Sequence, residues 1–566
     1  MKNLSLIYFL AFSFFLTSCG AFGIHFNVHN PKKPGKPPKF SEEAVLLGAM
    51  TPYRSCFDVH YYDLSVTLDP YKQKGLAGNV EIHAIAQTDF DTLQIDLHPD
   101  FEILRIFDKE NEKAGPLNYE WKERAIFVHY PQKKGSHFIL KVEYEGKPPF
   151  AKNPPWEGGF VWKKDKNGKP WVGVACESEG ASVWWPLKDH TADEPDSIRL
   201  HYTVPKDLVA VGNGQFIGKY EGKDQTTWEW FVSYPINTYN VTIYVGDFQI
   251  LEDTYTGVDG RELVINHYVL PENYQKAKKH FEQVKPIIRS FENWFGPYPW
   301  YRDGFKLIES PYAGMEHQTA IAYGNGYKND IDSATDYIIV HETAHEWWGN
   351  SITARDLADV WIQEGFATYA ESLFFEDRDG ETGYFNHIWF TRLMIQNKYP
   401  VVGVRDRRWF HFKKGADAYG KGAWILHTLR WQIVDDDLFF DIIRTFYDTY
   451  KYKIVESQDF IDIVNAKTGK DYSWFFDYYL YQNFSPELQY TTSDDGFLYF
   501  KWTNTPDSFN QLKVYLETQA GISHIIPTNE VQKVELPKTE DGFWSFEFLD
   551  YALYALKEEK GLRKGE

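Results

Sequence analysis

His341-Glu342-Thr343-Ala344-His345 is followed, after 18 intervening residues, by Glu364 within Trp361-Ile362-Gln363-Glu364-Gly365-Phe366-Ala367-Thr368-Tyr369. On a helix, residues four apart lie on one face. Two imidazoles at that spacing can hold one ion, and a carboxylate from a second helix can supply a third ligand. Glu342 sits one step around from His341, close enough to take a proton from a water activated at the metal. Asp332, Ser333 and Asp336 offer a cap and an acidic first turn for the helix, and Gly349 offers a stop. The spacing predicts one Zn2+ per chain, with His341, His345 and Glu364 as ligands and Glu342 as general base. The bland alternative is an amphipathic helix whose histidines only pack. It would need Glu364 to fall at its distance by chance.

Such a site implies hydrolysis by a metal-activated water. The rest of the chain sets bounds on this. At 566 residues it is too long for one hydrophobic core and implies several domains. A net charge of −20 argues against nucleic acid as a partner, since phosphate contacts need a basic surface. The 20 Trp, 38 Tyr and 42 Phe read as aromatic-rich strands and core packing rather than a sugar-binding surface.

The first 19 residues read as a targeting segment: Lys2, then an apolar run from Leu4 to Leu16 that is short for a membrane helix. Leu16-Thr17-Ser18-Cys19-Gly20 resembles a bacterial lipoprotein signal, which implies cleavage before Cys19 and membrane attachment through a lipid on Cys19. Gly20, rather than Asp, after that cysteine is similar to lipoproteins sent to the outer membrane. The expected location is therefore the bacterial cell envelope, with the body in the periplasm or at the surface. Cys56 and Cys176 are the only other cysteines. They fit a disulfide or buried thiols equally, and are too few for a cysteine-based zinc site.

Residues 20–48 contain the Pro- and Lys-rich stretch Asn30–Pro38 and read as a tether. From residue 49 to 268 the pattern alternates, as in Leu64, Val66, Leu68 and Leu93, Ile95, Leu97, which predicts a β-rich N-terminal domain. Helical periodicity begins after Pro271, with Phe281, Val284, Ile288 and Phe291 on one side, and residues 269–486 read as the catalytic domain. Alternation returns at Leu488 and Tyr490, turns at Asp494-Asp495-Gly496, and resumes at Leu498, Phe500 and Trp502. Residues 487–566 therefore read as a small β-sandwich whose tail after Leu556 frays.

Several segments together resemble the aminopeptidase N family of zinc metallopeptidases, the gluzincin type with HExxH and a later Glu. They are His341–Asn350, Glu364–Tyr369, Tyr419-Gly420-Lys421-Gly422 and Ala313-Gly314-Met315-Glu316-His317, the last near the signature GxMEN. The resemblance covers nearly the whole chain after the signal. It implies a multidomain α+β fold with a thermolysin-like catalytic domain, and removal of N-terminal residues from peptides with a free N-terminus. It also implies that Glu316 and Glu177 bind the substrate ammonium, with Glu179 competing for the second role. Gly314 and His317 would hold the substrate backbone, and Tyr419 would stabilise the oxyanion. Larger members continue into a helical domain that covers the site, so a chain ending here implies a more open cleft.

The departures are Ala313 for the signature's first Gly, His317 for its final Asn, Gln363 before the zinc Glu, and Glu346 after the second His. None removes a ligand or the base. His317 would add a group titrating near pH 6–7 beside the substrate backbone. Glu371, two turns after Glu364, reads equally as a partner for a ligand histidine or as a solvated glutamate. Two competing functions are a zinc endopeptidase with misplaced amine-binding acids, and a silent anchored peptide-binding protein. Oligomeric state is not legible in the chain.

Overall fold

A computed structural model describes residues 30, 38–72, 75–408, 417–494, 496–538 and 544–562. The signal, most of the Pro-rich stretch and Asp495 lie outside them. The chain divides into two compact units, Asn30–Ser485 and Pro486–Glu566.

In the first unit, alternation along Phe57–Leu68 builds the middle of a seven-stranded sheet. Val59, Tyr62, Leu64, Val66 and Leu68 point to the core, and a register shift between Val59 and Tyr61 moves the alternation by one residue. Its neighbours are Leu76–Ala86, antiparallel, and Ser197–Pro205, parallel. The buried face shares one core with a four-stranded sheet of order Val209–Val211, Tyr244–Gly246, Pro170–Ala175, Gly159–Lys164. The pairing of Tyr244 with Gly173 is antiparallel, so the end of Pro170–Ala175 lies beside the chain entering Tyr244. Glu177 and Tyr239 thus emerge at the same edge of this sheet.

A five-stranded mixed sheet follows, in the order Gln249–Thr256, Glu262–Val269, Leu307–Glu309, Ile321–Tyr323, Gly314–Met315. The hairpin Gln249–Val269 thus joins the sheet that carries Gly314, although the expected boundary at residue 268 groups it with the N-terminal domain. Alternation reveals a half-buried strand but not which sheet it joins. Helices Tyr337–Ala344, Trp361–Arg392 (interrupted at Gly380), Gly422–Ile433, Asp436–Tyr450, Ser457–Thr468 and Ser473–Tyr481 complete the catalytic region.

The expected tether ends earlier than residue 48. Glu42–Gly48 is a helix capped by Ser41 Oγ, which accepts from Ala44 N. Its Ala44 and Leu47 are buried, and that burial holds a short helix that could not stand alone. Arg54, fully buried, donates to the carbonyls of Leu46, Leu47 and Ala49 and pairs with Asp96 at 2.6 Å.

The second unit packs a four-stranded sheet, order Gln532–Glu535, Phe497–Trp502, Glu487–Thr492, Ala555–Glu558, against a three-stranded one. Tyr490 of the first meets Phe548 of the second edge-on at 5.0 Å. The tail is not frayed after Leu556: Ala555–Glu558 pairs in parallel with Glu487–Tyr490, and Leu562 is buried. Cys56 and Cys176 are buried free thiols. Among the described residues no helix is long and apolar enough to cross a membrane.

Candidate active site

Asp336 caps the histidine helix, its Oδ1 accepting from Ile338 N at 3.0 Å. Its Oδ2 is held by Tyr323 Oη and His280 Nε2, each at 2.7 Å. The regular helix ends at Ala344, short of the Gly349 stop, but His345 N still bonds His341 O at 3.3 Å. The four-residue spacing therefore survives. Gly349, at φ 120°, completes the exit where a side chain would be strained.

Two glycine contacts bring the remaining parts in. A Cβ on Gly365 would lie 2.9 Å from Gly422 Cα, so the helix carrying Glu364 and the one following Tyr419 cross backbone to backbone. A Cβ on Gly314 would overlap Glu342 Oε1 and stand 2.9 Å from Ile338 Cγ2. Gly314 thus lets the edge strand lie against the Glu342 carboxylate.

The Nε2 atoms of His341 and His345 are 3.1 Å apart, and Glu364 Oε2 is 3.4 Å from each. His345 Nδ1 lies 2.8 Å from Trp348 O, an acceptor only, so this nitrogen carries hydrogen. His341 Nδ1 faces Glu371 Oε1 at 2.7 Å. With both Nδ1 positions donating, the neutral rings turn Nε2 lone pairs toward one another and toward a carboxylate oxygen. Glu364 Oε2 is buried with no hydrogen-bond partner. Three converging lone pairs repel unless a cation lies among them, and two imidazoles with one carboxylate are a donor set suited to catalytic zinc. The residues present fit the metal.

Electrostatics agree. Burial opposes charge on Glu364, yet His345 and His341 draw its carboxyl down to about 2. Burial also opposes charging His341, but Glu364 and Glu371 outweigh it and push the ring well above its ordinary range. The field that would hold a proton there also favours a metal cation.

Ligand atoms of Glu316, Glu342 and His345 fall within 4.8 Å of one another, as do those of Glu177, Glu316 and Glu364. The two expected amine-binding acids therefore meet beside the histidines. Burial raises both, and Glu316 raises Glu177 further. Glu177 Oε1 is buried without a partner. Glu179 points elsewhere, to Arg124 at 3.4 Å. Burial pushes Glu342 up to about 8, and its Oε2 has no hydrogen-bond partner. Tyr419 stacks on His341 with ring centroids 6.0 Å apart, and burial followed by the Glu364 and Glu177 carboxylates holds its phenol neutral.

His317 is not a group titrating near pH 6–7. Its side chain is fully buried, with Nδ1 2.6 Å from Tyr244 Oη, and burial lowers the ring to about 3. Its side chain, enclosed beside Tyr244, is not available to a substrate.

Glu371 is the partner that sequence spacing left undecided. It is buried, and its second oxygen meets His387 Nε2 at 3.1 Å, whose Nδ1 meets Ser372 Oγ at 2.9 Å. Glu346 and Asn350 tie down the Glu316 loop: Glu346 Oε1 accepts from Thr319 N at 2.9 Å, and Asn350 Nδ2 donates to Glu316 O at 2.9 Å. Tyr239 Oη donates to Glu316 Oε1 at 3.0 Å. Tyr239 carried no sequence signal, because no spacing rule links residues 77 positions apart.

A fold of this kind with an HExxH helix and a glutamate from a following helix defines a zinc-peptidase domain of the gluzincin class. Residues 279–479 match the peptidase family M1 domain. It is 22% identical over 358 residues to leucyl aminopeptidase of Saccharolobus solfataricus, covering 59% of this chain and 43% of that one. It is 23% identical over 513 residues to aminopeptidase B of Mus musculus, covering 83% and 72%. The chain spans less than half the length of its archaeal relatives from Saccharolobus solfataricus and Sulfurisphaera tokodaii. An M1 zinc metallopeptidase from Deinococcus radiodurans, solved as a mutant with a Tyr-Ser-Ala substrate, superposes with a TM-score of 0.63 at 21% identity. That likeness covers 76% of this chain and 95% of that one, and establishes the fold.

Proposed function

We propose that this protein is a zinc-dependent aminopeptidase that removes N-terminal residues from peptides. The observation that carries this is the pair of buried carboxylates, Glu316 and Glu177, converging beside the two-histidine, one-glutamate set. Enclosed acids can favour a charged amine and disfavour a chain that continues past it. The aminopeptidase names of the relatives and the peptide bound by the Deinococcus radiodurans protein support the same reading.

One zinc, held by His341, His345 and Glu364, would polarise the scissile carbonyl and acidify water. Glu342, pressed against Gly314, takes the proton from the attacking water and returns it to the leaving amine. Tyr419 donates a hydrogen bond to the oxygen that becomes negative in the transition state. Glu316 and Glu177 hold the α-ammonium, Gly314 and the backbone of His317 line the peptide, and Glu371 fixes the His341 tautomer. The lipoprotein-like segment ending at Cys19 supports a lipid anchor and a place in the cell envelope.

Hydrolysis of aminoacyl reporters with free and N-acetylated amines, by wild type and Glu342→Gln, tests the reading. Cleavage of the free-amine set alone, lost in the variant, is expected. Equal cleavage of both sets would make the protein an endopeptidase.

A further inference from the structure

Glu316 is held by a second element that no zinc or signature motif contains. Asn237–Asn240 forms a tight turn at the edge of the N-terminal sheet, with Asn237 Oδ1 accepting from Tyr239 N at 3.3 Å. Tyr239 is fully buried, and its hydroxyl lies between two groups of the catalytic region: Gln363 Nε2 at 3.0 Å and Glu316 Oε1 at 3.0 Å.

The direction of each hydrogen bond follows from its partners. Gln363 Oε1 accepts from Ala354 N at 3.2 Å, which fixes the amide and leaves Nε2 to donate to the phenol. The phenol has one proton, and the carboxylate is its remaining acceptor. The chain therefore runs one way, from Ala354 N–H through Gln363 and Tyr239 to Glu316, and passes through the residue before Glu364. The same turn reaches the site by two other routes. Asn240 Nδ2 donates to Asn350 Oδ1 at 2.8 Å, and Asn350 holds the Glu316 carbonyl. Tyr239 O accepts from Cys176 Sγ at 3.2 Å, the residue before Glu177.

We propose that Tyr239 is the positioning residue of the amine-recognition site, fixing one oxygen of Glu316 so that the other faces the substrate ammonium together with Glu177. The inference rests on the aminopeptidase reading and adds to it a specificity element contributed by the N-terminal domain. It assigns Tyr239 to binding of the free amine and not to the chemical step. A carboxylate anchored at Oε1 has its orientation set before the substrate arrives, whereas one freed of that bond must be ordered on binding.

The test uses the zinc-loaded full chain and its Tyr239→Phe variant, which removes one oxygen atom and keeps the ring. Two readouts are compared: KM and kcat for an aminoacyl reporter, and inhibition by a short peptide against the same peptide lacking its α-amine. Tyr239→Phe should raise KM roughly tenfold or more, leave kcat nearly unchanged, and weaken inhibition by the amine-bearing peptide alone. A fall in kcat at constant KM, an equal weakening of both inhibitors, or no change would overturn the proposal. A wild type that does not distinguish the two peptides would instead overturn the aminopeptidase reading. Should Tyr239→Phe fail to fold, Gln363→Met breaks the same chain from its other end. It should weaken amine-bearing inhibitors selectively, and unchanged selectivity there would count against Tyr239.

Discussion

His341 and His345 bring their Nε2 atoms to 3.1 Å while each Nδ1 is already engaged, by Glu371 and by the Trp348 carbonyl. Two ring lone pairs aimed at one point, with Glu364 Oε2 3.4 Å from both, make a cradle built by the protein itself. The groups that hold each Nδ1 orient the rings and should control metal affinity.

Glu371→Gln should therefore weaken zinc binding by roughly tenfold or more, because a neutral amide replaces the carboxylate between His341 and His387. Competition with a chelator of known affinity measures this. Unchanged affinity would remove Glu371 from the support of the site.

Tyr419→Phe should lower kcat about 100-fold to 1,000-fold with little change in KM. The phenol is neutral, stacks on His341, and would act only where charge develops. A loss confined to KM would assign Tyr419 to ground-state binding.

Gly314→Ala should leave metal content intact and lower kcat by about 100-fold. Its Cβ would displace the carboxylate of Glu342. Full activity in this variant would show that the base tolerates a different position.

His267 lies far along the chain from these groups and reports on stability. It is buried against Phe281 and Phe305, its Nδ1 accepts from Leu307 N at 3.0 Å, and burial lowers the ring to about 3. Below the ordinary histidine value the unfolded chain takes up a proton that the folded chain refuses. The contribution to stability is present above about pH 6.5 and is lost as pH falls toward 3, at roughly 1 kcal/mol per pH unit. His267→Gln should be less stable than wild type at pH 7, and the gap in melting temperature should narrow by pH 5. A gap independent of pH would contradict a neutral buried ring.

The convergence of His341, His345 and Glu364 was legible because a helix fixes four-residue spacing, and the strands because Leu64, Val66 and Leu68 alternate. Glu371 was half legible: two turns place it on the right face, but spacing does not say whether that face is buried. His317 was misread, because its type suggests titration while its environment, Tyr244 and complete burial, forbids it. The helix Glu42–Gly48 was hidden beside a Pro-rich stretch, since its stability comes from tertiary burial of Ala44 and Leu47. Tyr239 was beyond reach, because it meets Glu316 only through tertiary packing of segments far apart in the chain.

The central claim is that buried acids beside a zinc cradle restrict cleavage to the free end of a peptide. Mass spectrometry of one mixed-sequence peptide, with its N-terminus free or acetylated, tests this most directly when followed over time with the zinc-loaded protein. Stepwise loss of single residues from the free peptide, with the acetylated one intact, is the predicted result. Internal fragments from both peptides would contradict it.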